Sequence, residues 1–351
     1  MKKILYLYSG SRKNKFQGQI GLDYPDTQFY GLNYLKKFDL EAEYKEWQDF
    51  AKQKFWHTKI GFRIRHLLLF FFTRGYDLVF GSSILYMMVF KKIFKTRRKF
   101  VLFNIGLQRT LTANKKNQFK YALISSLLKE LDGVVCLANF QREQLESVYP
   151  FLRGKVSFVP LGVDTQFYQP GYEGRGEYIL SVGRDNGRDY KTVMEVVRKL
   201  PEREFHIVCS KRNLENIGEI PKNVKVFYDL SPSELHKKYQ EAILLLLLTH
   251  QDSFLDGADC SGQTVLLDAM ANGLPVIISR KKYLGDYVTD GKEAILVDCY
   301  NATQTALAIN SLLEDGEGRH RLALSARKRA ELEFSTEKMA EGLSGVFRSL
   351  L

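Results

Sequence analysis

A polar turn that opens an apolar helix has the residue types best suited to binding chemistry in this 351-residue chain. Ser261, Gly262, Gln263 and Thr264 come directly before an apolar run, Val265 to Met270. A helix that starts with Ser-Gly leaves its first amide N–H groups open, and these groups together with the helix dipole favour an anion such as a phosphate. The turn therefore predicts a phosphate site at a helix start.

One carboxylate lies further along the same predicted helix. Asp268 follows Ser261 by seven residues, which is about 10 Å along a helix axis. A diphosphate at the helix start with a ribose along its side would place Asp268 near the ribose hydroxyls. The alternative is an ordinary polar residue on an exposed helix face. Asn272-Gly273 and Pro275 end the helix before an apolar strand.

Two cations flank another strand-to-helix turn. Arg184 follows the apolar strand Tyr178 to Val182, and Lys191 lies just inside the next predicted helix. Two cations on such a turn could hold a diphosphate through charge-assisted hydrogen bonds. The alternative is that both are solvated surface side chains.

The stretch from Asp268 to Ile277 resembles the donor-site signature of the retaining GT-B glycosyltransferases known as glycosyl transferases group 1. That family has two Glu residues separated by seven positions, the second opening a Glu-Ala-Met-Ala run. Here Asp268-Ala269-Met270-Ala271 matches the run with Asp in place of Glu, and Gly-Leu-Pro-Val-Ile follows. The first Glu position falls on Cys260, with Asp259 beside it.

Three further segments are similar to the family. Residues 160–167 resemble its link between domains, and Gly183-Arg184 with Tyr190-Lys191-Thr192 resembles its phosphate-binding Arg and Lys. The resemblance implies that Arg184 and Lys191 stabilise the departing diphosphate, with Asn104 on the acceptor side. It also implies contacts with the nucleotide and the donor sugar at three places. The helix start contributes Ser261, Gly262, Gln263 and Thr264. The two family Glu positions contribute Cys260, with Asp259 beside it, and Asp268, and the strand ends that flank the base contribute Ser210 and Tyr228.

The activity implied by the resemblance is transfer of a sugar from a nucleotide sugar to a glycan or lipid-linked acceptor, with retention of anomeric configuration and without a metal. Two alternatives stay open at this point. A nucleotide-sugar epimerase needs a clear acid–base pair, which the sequence does not present. A non-catalytic GT-B binding module is favoured by the replaced Glu residues and disfavoured by the two cations.

Short apolar strands alternate with helical stretches along the whole chain, which predicts an α/β fold. We expect the GT-B arrangement of two doubly wound parallel-sheet domains facing one another across a cleft. The predicted domains are 1–168 for the acceptor, 169–330 for the donor, and a C-terminal helix in 331–351 that crosses back to the first. Asp286 to Val288 and Gly291 to Val297 are predicted to complete the second sheet, and residues 317–348 to be helical.

The net charge of +12 is unevenly distributed. Residues 1–168 have 28 Lys and Arg against 13 Asp and Glu, a net of +15. Residues 50–72 have the pattern of a basic amphipathic helix, with an apolar stripe: Trp56, Ile60, Ile64, Leu67 and Phe71. Docking on an anionic membrane surface is one interpretation, and an ordinary helix packed on the sheet is the other.

Other partners and compartments follow from composition. No nucleic-acid motif accompanies the positive charge, so nucleic-acid binding is disfavoured. The four cysteines are widely spaced, without metal-type pairs, which is typical of a reduced, intracellular protein. No signal peptide or membrane span is evident. We expect a cytoplasmic protein, peripheral at the inner face of a membrane.

Overall fold

The structure is a computed structural model that describes residues 2–12, 23–46, 59–107, 111, 117–171, 176–254, 256–257 and 259–351. Side chains are not described at 59–63, 65 and 66. The chain divides into two compact units. The first is built on the N-terminal strand, Asp26–Pro160 and Thr336–Leu351, and the second is built on Leu161–Ser335. The predicted bounds at 168 and 330 stay predictions, because the linker they were drawn from includes the undescribed residues 172–175.

A six-stranded parallel sheet forms the centre of the first unit, in the order β2-β1-β3-β4-β5-β6. Most of its side chains are buried on both faces, as expected of parallel strands covered by helices. The strands are β1 (Lys3–Tyr8), β2 (Glu41–Glu46), β3 (Leu78–Gly81), β4 (Lys99–Asn104), β5 (Gly133–Cys136) and β6 (Val156–Phe158).

Helices of the first unit cover this sheet. Four of them, α1, α2, α3 and α4, contribute to one apolar core cluster together with the sheet. The described helices are α1 (Lys59–Phe72), α2 (Met88–Phe94), α3 (Gln118–Lys129), α4 (Asn139–Val148) and, from the end of the chain, α10 (Thr336–Leu350). No helix among the described residues is long and apolar enough to cross a membrane.

The predicted amphipathic helix lies only partly within the described residues, since positions 47–58 are outside them. In its described part, α1, the residues of the predicted stripe differ in burial, because Phe71 packs against the core whereas Ile64 is exposed. Leu69 and Phe70 are buried, whereas Ile64, Leu68 and Phe72 are exposed. The helix is apolar on both sides near its C-terminal end, so the predicted stripe does not identify its core face.

The second unit has its own six-stranded parallel sheet, in the order β12-β11-β10-β7-β8-β9. Its strands are β7 (Tyr178–Gly183), β8 (Phe205–Cys209), β9 (Val224–Phe227), β10 (Ala242–Leu247), β11 (Val276–Ser279) and β12 (Ile295–Val297). Its helices are α5 (Tyr190–Lys199), α6 (Pro232–Glu241), α7 (Gln263–Ala271), α8 (Ala302–Glu314) and α9 (Gly316–Glu333). The strand order reverses between β7 and β10, and ligands of such sheets bind outside the carboxyl ends of the strands at the reversal.

Two predictions at the end of the chain were wrong. Asp286 is the last residue of a short 3₁₀ helix that begins at Lys282. The next two residues, Tyr287 and Val288, form no strand. Of the segment Gly291 to Val297, only Ile295–Val297 pairs with β11. The helix expected over 317–348 is interrupted at Ser335. There the backbone pairs elsewhere, because Val163 N–H donates to Phe334 O at 2.7 Å and Val163 bridges Ser335.

The last helix packs closely on the first unit. Gly31 has φ of 75°, and a Cβ placed there would lie 2.8 Å from the Cα of Ala340 in α10. Lys37 Nζ lies 2.9 Å from Glu337 Oε1 at the helix start. Arg348 donates to the carbonyl of Phe38 near its other end. The contact requires glycine at position 31 both for its backbone conformation and for the space.

We expect Gly31→Ala to lower the free energy of unfolding of the first unit by about 2 kcal/mol or more, because it adds backbone strain to a clash with backbone atoms. Urea unfolding followed by circular dichroism measures this change. Gly345→Ala, in α10 and with no atom within 4 Å of the added Cβ, is the matched control. It should be neutral or stabilising by about 0.5–1 kcal/mol. Equal stability of the two variants would contradict the close packing at Gly31.

Candidate functional site

The carboxyl ends of β7 and β10 bring together two loops and a helix start in the second unit. After β7 the chain turns at Gly183 and runs to Arg188, which forms a bridge with Thr249 just beyond β10. The start of α7 reaches the same place, since Arg188 Nη1 lies 3.5 Å from Ser261 Oγ. The reversal point of this sheet is therefore lined by two loops and one helix N-terminus.

The start of α7 combines a glycine N-cap with a buried position in the unit. Its N-cap is Gly262, with φ of 98° and no side chain capping the amides. A Cβ at this position would approach Arg188 Nη1 to 3.1 Å, so glycine suits both the conformation and the space. The first amides of the helix and its dipole together form a positive end.

Arg188 places a buried cation beside this positive helix end. The residue is 8% exposed, and its Nη2 lies 3.5 Å from Asp185 Oδ2. Its Nε has no hydrogen-bond partner among the described residues, and neither has the buried hydroxyl of Thr249. A cation next to a helix N-terminus is unfavourable unless anionic charge lies near both. One Asp supplies part of that charge, and a bound anion would supply the rest.

Asp185 organises the turn between β7 and α5. Its Oδ1 accepts hydrogen bonds from Ser261 Oγ at 2.7 Å and from Gly187 N–H at 2.8 Å. Burial raises the pKa of Asp185, but Arg188, Ser261 and Gly187 together bring it below its ordinary value. A Cβ on Gly187 would lie 2.3 Å from Ser261 Oγ, so the two loops meet through a glycine.

The two cations singled out from the sequence lie elsewhere. Arg184 is exposed, 3.7 Å from Asp229. Lys191 occupies an exposed position on α5, and no contact with Ser261 is recorded for it among the described residues. The cation at the helix start is Arg188, which sequence reasoning missed. Its signal was a second Arg after two glycines in the same turn, three residues before the expected Lys.

The strand ends proposed to flank a nucleobase are connected to the same turn. Ser210 follows β8 and forms a reciprocal cap with Asn213, whose Nδ2 donates to Asp185 O at 3.1 Å. Tyr228 follows β9, is 39% exposed, and has Lys211 Nζ 6.0 Å from its ring centre. Ser210 therefore borders the Asp185 turn, and Tyr228 offers an aromatic face to solvent.

The loop before α7 carries the residues at the altered Glu positions. Asp259 and Cys260 precede Ser261, and Cys260 O accepts from Gln263 N–H at 3.1 Å. The side chain of Thr264 is exposed, whereas that of Gln263 is buried. This backbone hydrogen bond holds Cys260, and with it the adjacent Asp259, next to the N-terminus of α7.

A buried lysine supports the same edge of the sheet. Lys281 follows β11, and its Nζ lies 3.0 Å from Asp252 Oδ1 and 2.8 Å from His250 O. His250 N–H donates to Gly187 O, and its ring lies 4.1 Å from that of Phe254. His250 therefore has structural contacts, and Lys281 fixes the segment that follows β10.

Asp268 is almost completely buried, at 6% exposure. Burial raises its pKa to about 8, although a hydrogen bond with Tyr168 acts in the opposite direction. Its Oδ1 has no partner among the described residues. The carboxyl is therefore protonated at neutral pH and faces the interior, close enough to Tyr168 and Tyr239 that a charge on it would raise the pKa of both tyrosines.

Asn104 lies in the first unit, at the end of β4. It is 1% exposed; its Oδ1 accepts from Leu107 N–H at 3.0 Å and its Nδ2 lies 3.4 Å from Cys136 Sγ. Both ends of the amide are used in holding the turn after β4. An acceptor-side role for Asn104 stays a prediction.

The buried carboxyl makes stability depend on pH. Because the folded pKa of Asp268 lies above its unfolded value of about 4, the folded state keeps a proton that the unfolded chain releases, and stability falls as pH rises toward 8. We expect Asp268→Asn to remove this loss. Its free energy of unfolding relative to wild type should increase by up to about 1.4 kcal/mol per pH unit between pH 5 and 7.5.

Urea unfolding of the second unit at several pH values measures the effect. Asp298→Asn, at an exposed carboxylate, is the control and should leave the pH profile unchanged. Parallel profiles for Asp268→Asn and wild type would contradict a protonated Asp268.

Sequence comparison finds a known family that part of this chain matches. Residues 163–329 match the family described as glycosyl transferases group 1. Spore coat protein SA of Bacillus subtilis is 24% identical over 254 residues, covering 61% of this chain and 64% of that protein. A D-inositol 3-phosphate glycosyltransferase of Acidothermus cellulolyticus is 31% identical over 250 residues, covering 63% of this chain and 54% of that protein. The chain thus spans less than two thirds of these relatives.

Solved structures extend the similarity to the whole fold. Sucrose-phosphate synthase from Thermosynechococcus elongatus superposes with a TM-score of 0.72 at 16% identity, covering 100% of this chain and 99% of the other. Anabaena HepE in complex with UDP and glucose gives 0.69 at 14% identity, covering 99% and 100%. The chain therefore has the GT-B fold, and its residues 163–329 match glycosyl transferases group 1.

Proposed function

We propose that this protein is a glycosyltransferase that moves a sugar from a nucleoside-diphosphate sugar to a hydroxyl acceptor with retention of anomeric configuration. The observation that carries the proposal is the buried cation Arg188 beside the uncapped start of α7, at the reversal point of the second sheet. The match of residues 163–329 to the family supports it. So does the related fold of HepE, which has been solved with UDP-glucose.

The chemical step breaks the bond between the anomeric carbon and the diphosphate oxygen and forms a bond from that carbon to the acceptor oxygen. The diphosphate leaves with the electron pair, and the acceptor proton passes to a phosphate oxygen. Negative charge grows on the diphosphate during this step. Arg188 and the first amides of α7 are preorganised to stabilise it, and we propose that no metal is needed.

The remaining parts of the nucleotide are assigned to neighbouring elements. We place the base between the ends of β8 and β9, beside Ser210 and Tyr228, with Arg184 at the rim. The donor sugar lies toward Asp259 and Cys260. Asp268, held inside the unit, acts as a positioning residue that anchors α7 below the phosphate-binding end. The predicted direct contact of Asp268 with ribose would require its exposure.

The acceptor is assigned to the first unit. There the strand order reverses between β1 and β3, and a small cavity at the strand ends is lined by Ser9, Ser82 and the half-buried ring of Tyr30. Such a surface suits a sugar ring with polar edges and an apolar face. The excess of positive charge in residues 1–168 supports an acceptor that is lipid-linked or close to an anionic membrane.

Thermal denaturation with UDP, GDP and ADP tests the donor site. We expect one nucleoside diphosphate to stabilise the protein, by about 2.7 kcal/mol at 100 times its dissociation constant. Arg188→Lys keeps the charge but loses the forked donor geometry, so binding should weaken by about tenfold or more. The measurement is repeated with EDTA, which should leave the shift unchanged.

Three further variants make the assignment specific. Lys199→Ala removes an exposed cation from the last turn of α5 and should bind as wild type does. Lys191→Ala and Arg184→Ala compare the cations predicted from the sequence with Arg188. Stabilisation by no nucleotide, or undiminished binding by Arg188→Lys, would overturn the assignment of Arg188. The first of these results would favour a binding module that does not use nucleotide sugars.

A further inference from the structure

The first unit exposes large apolar side chains on three successive helices. On α1 they recur every four residues, on α2 they form its last two residues, and on α3 they recur after four. Their exposures range from 39% to 79%: Ile64, Leu68, Phe72, Ile93, Phe94, Phe119 and Leu123. We refer to these seven residues as the apolar face.

The three helices are neighbours on one side of the sheet. The ring of Phe94 on α2 stacks on Phe70 of α1, with centroids 6.0 Å apart, and also contacts Phe71. Lys92 Nζ of α2 lies 3.2 Å from Ser126 Oγ of α3. The residues of the apolar face are therefore held by helices that pack against one another through aromatic rings, and not by a loop.

Positive charge is concentrated around the apolar face. Residues 59–99 contain ten Lys and Arg residues and a single acidic residue, Asp77. Arg74, Lys92, Lys95 and Arg97 are exposed. The Asp77 carboxylate already has partners within the protein, since it accepts a hydrogen bond from Lys3 N–H and pairs with Lys2. An occupant of this face must accommodate exposed phenyl rings and supply negative charge opposite these four exposed cations.

We propose that the apolar face is the surface by which the protein docks on a lipid bilayer that contains anionic lipids. The phenyl rings enter the acyl boundary, and the surrounding cations contact the headgroups. Each cation near such a surface raises the membrane-binding constant by a factor of about ten or less. Burial of apolar side chains strengthens the binding further. This deepens the proposed function by naming the docking surface, while binding of the diphosphate does not depend on it.

Charge selects a bilayer over a protein partner. A protein interface has its charged residues depleted at the centre, whereas here cations and apolar side chains alternate on the same short helices. Ile93 and Phe94 directly follow Lys91 and Lys92 and precede Lys95. Lys120 likewise follows Phe119. This alternation is typical of a surface that lies in the plane of a membrane interface.

Vesicle sedimentation of the full-length chain tests the proposal. We expect binding to phosphatidylcholine vesicles that contain phosphatidylglycerol, weaker binding at high salt, and little binding to pure phosphatidylcholine. The double variant Ile93→Ser with Phe94→Ser should weaken binding by about tenfold or more. Because Phe94 also packs on Phe70, Phe119→Ser is a second variant at a more exposed ring and should weaken binding about tenfold.

Leu307→Ser is the matched control, since Leu307 is 66% exposed on α8 of the second unit. It should bind vesicles as wild type does. Absence of binding to the anionic vesicles at low salt, or equal binding by the apolar-face variants, would overturn the proposal. Sedimentation without vesicles that is lost in those variants would instead identify a protein interface. A nucleotide-induced thermal shift measured on the same preparations separates failure of docking from failure of the donor site.

Discussion

The proposed donor site depends on one buried interaction, the contact of Arg188 with Asp185 and Ser261 beside the start of α7. Arg188 is desolvated, lies next to the positive end of a helix, and has one nearby carboxylate to balance its charge. Such an arrangement is costly in the empty protein, since desolvated charges repay their burial only with good partners. It becomes favourable when a diphosphate lies against both. The cost of burying Arg188 and the proposed affinity for a diphosphate have the same electrostatic origin.

The surrounding structure holds this interaction in place through close backbone contacts. Glycine at 183, 187 and 262 lets two loops and a helix approach within distances that a side chain would prevent. A Cβ on Gly183 would lie 1.8 Å from Arg188 Nε. Below the site, Asp268 is buried without its charge, so α7 is anchored by a neutral carboxyl and not by an ion pair. Rigid parallel strands, a glycine-lined turn and one helix end together set the position of the cation.

The two units differ in net charge and in the apolar surface that they expose. The second unit has a small negative net charge, and one buried cation, Arg188, lies at the end of its sheet where the proposed diphosphate would bind. The first unit has a large positive net charge and an exposed apolar face on α1, α2 and α3. The first pattern suits a small anionic ligand, and the second suits an extended anionic surface.

The sequence alone determined the two parallel sheets, the start of α7 and the family resemblance, because each rests on local patterns. Apolar strands of four to six residues, Ser-Gly before an apolar helix and Gly-Leu-Pro after it are visible without tertiary information. It did not determine which cation meets the helix start. Arg184, Arg188 and Lys191 lie within eight residues, and only the bridge between Arg188 and Thr249 selects the middle one. Nor could it show that Asp268 faces inward or that Ile64, Leu68 and Phe72 face outward. Those outcomes depend on which neighbouring element covers each helix face, which is a property of packing between segments distant in the chain.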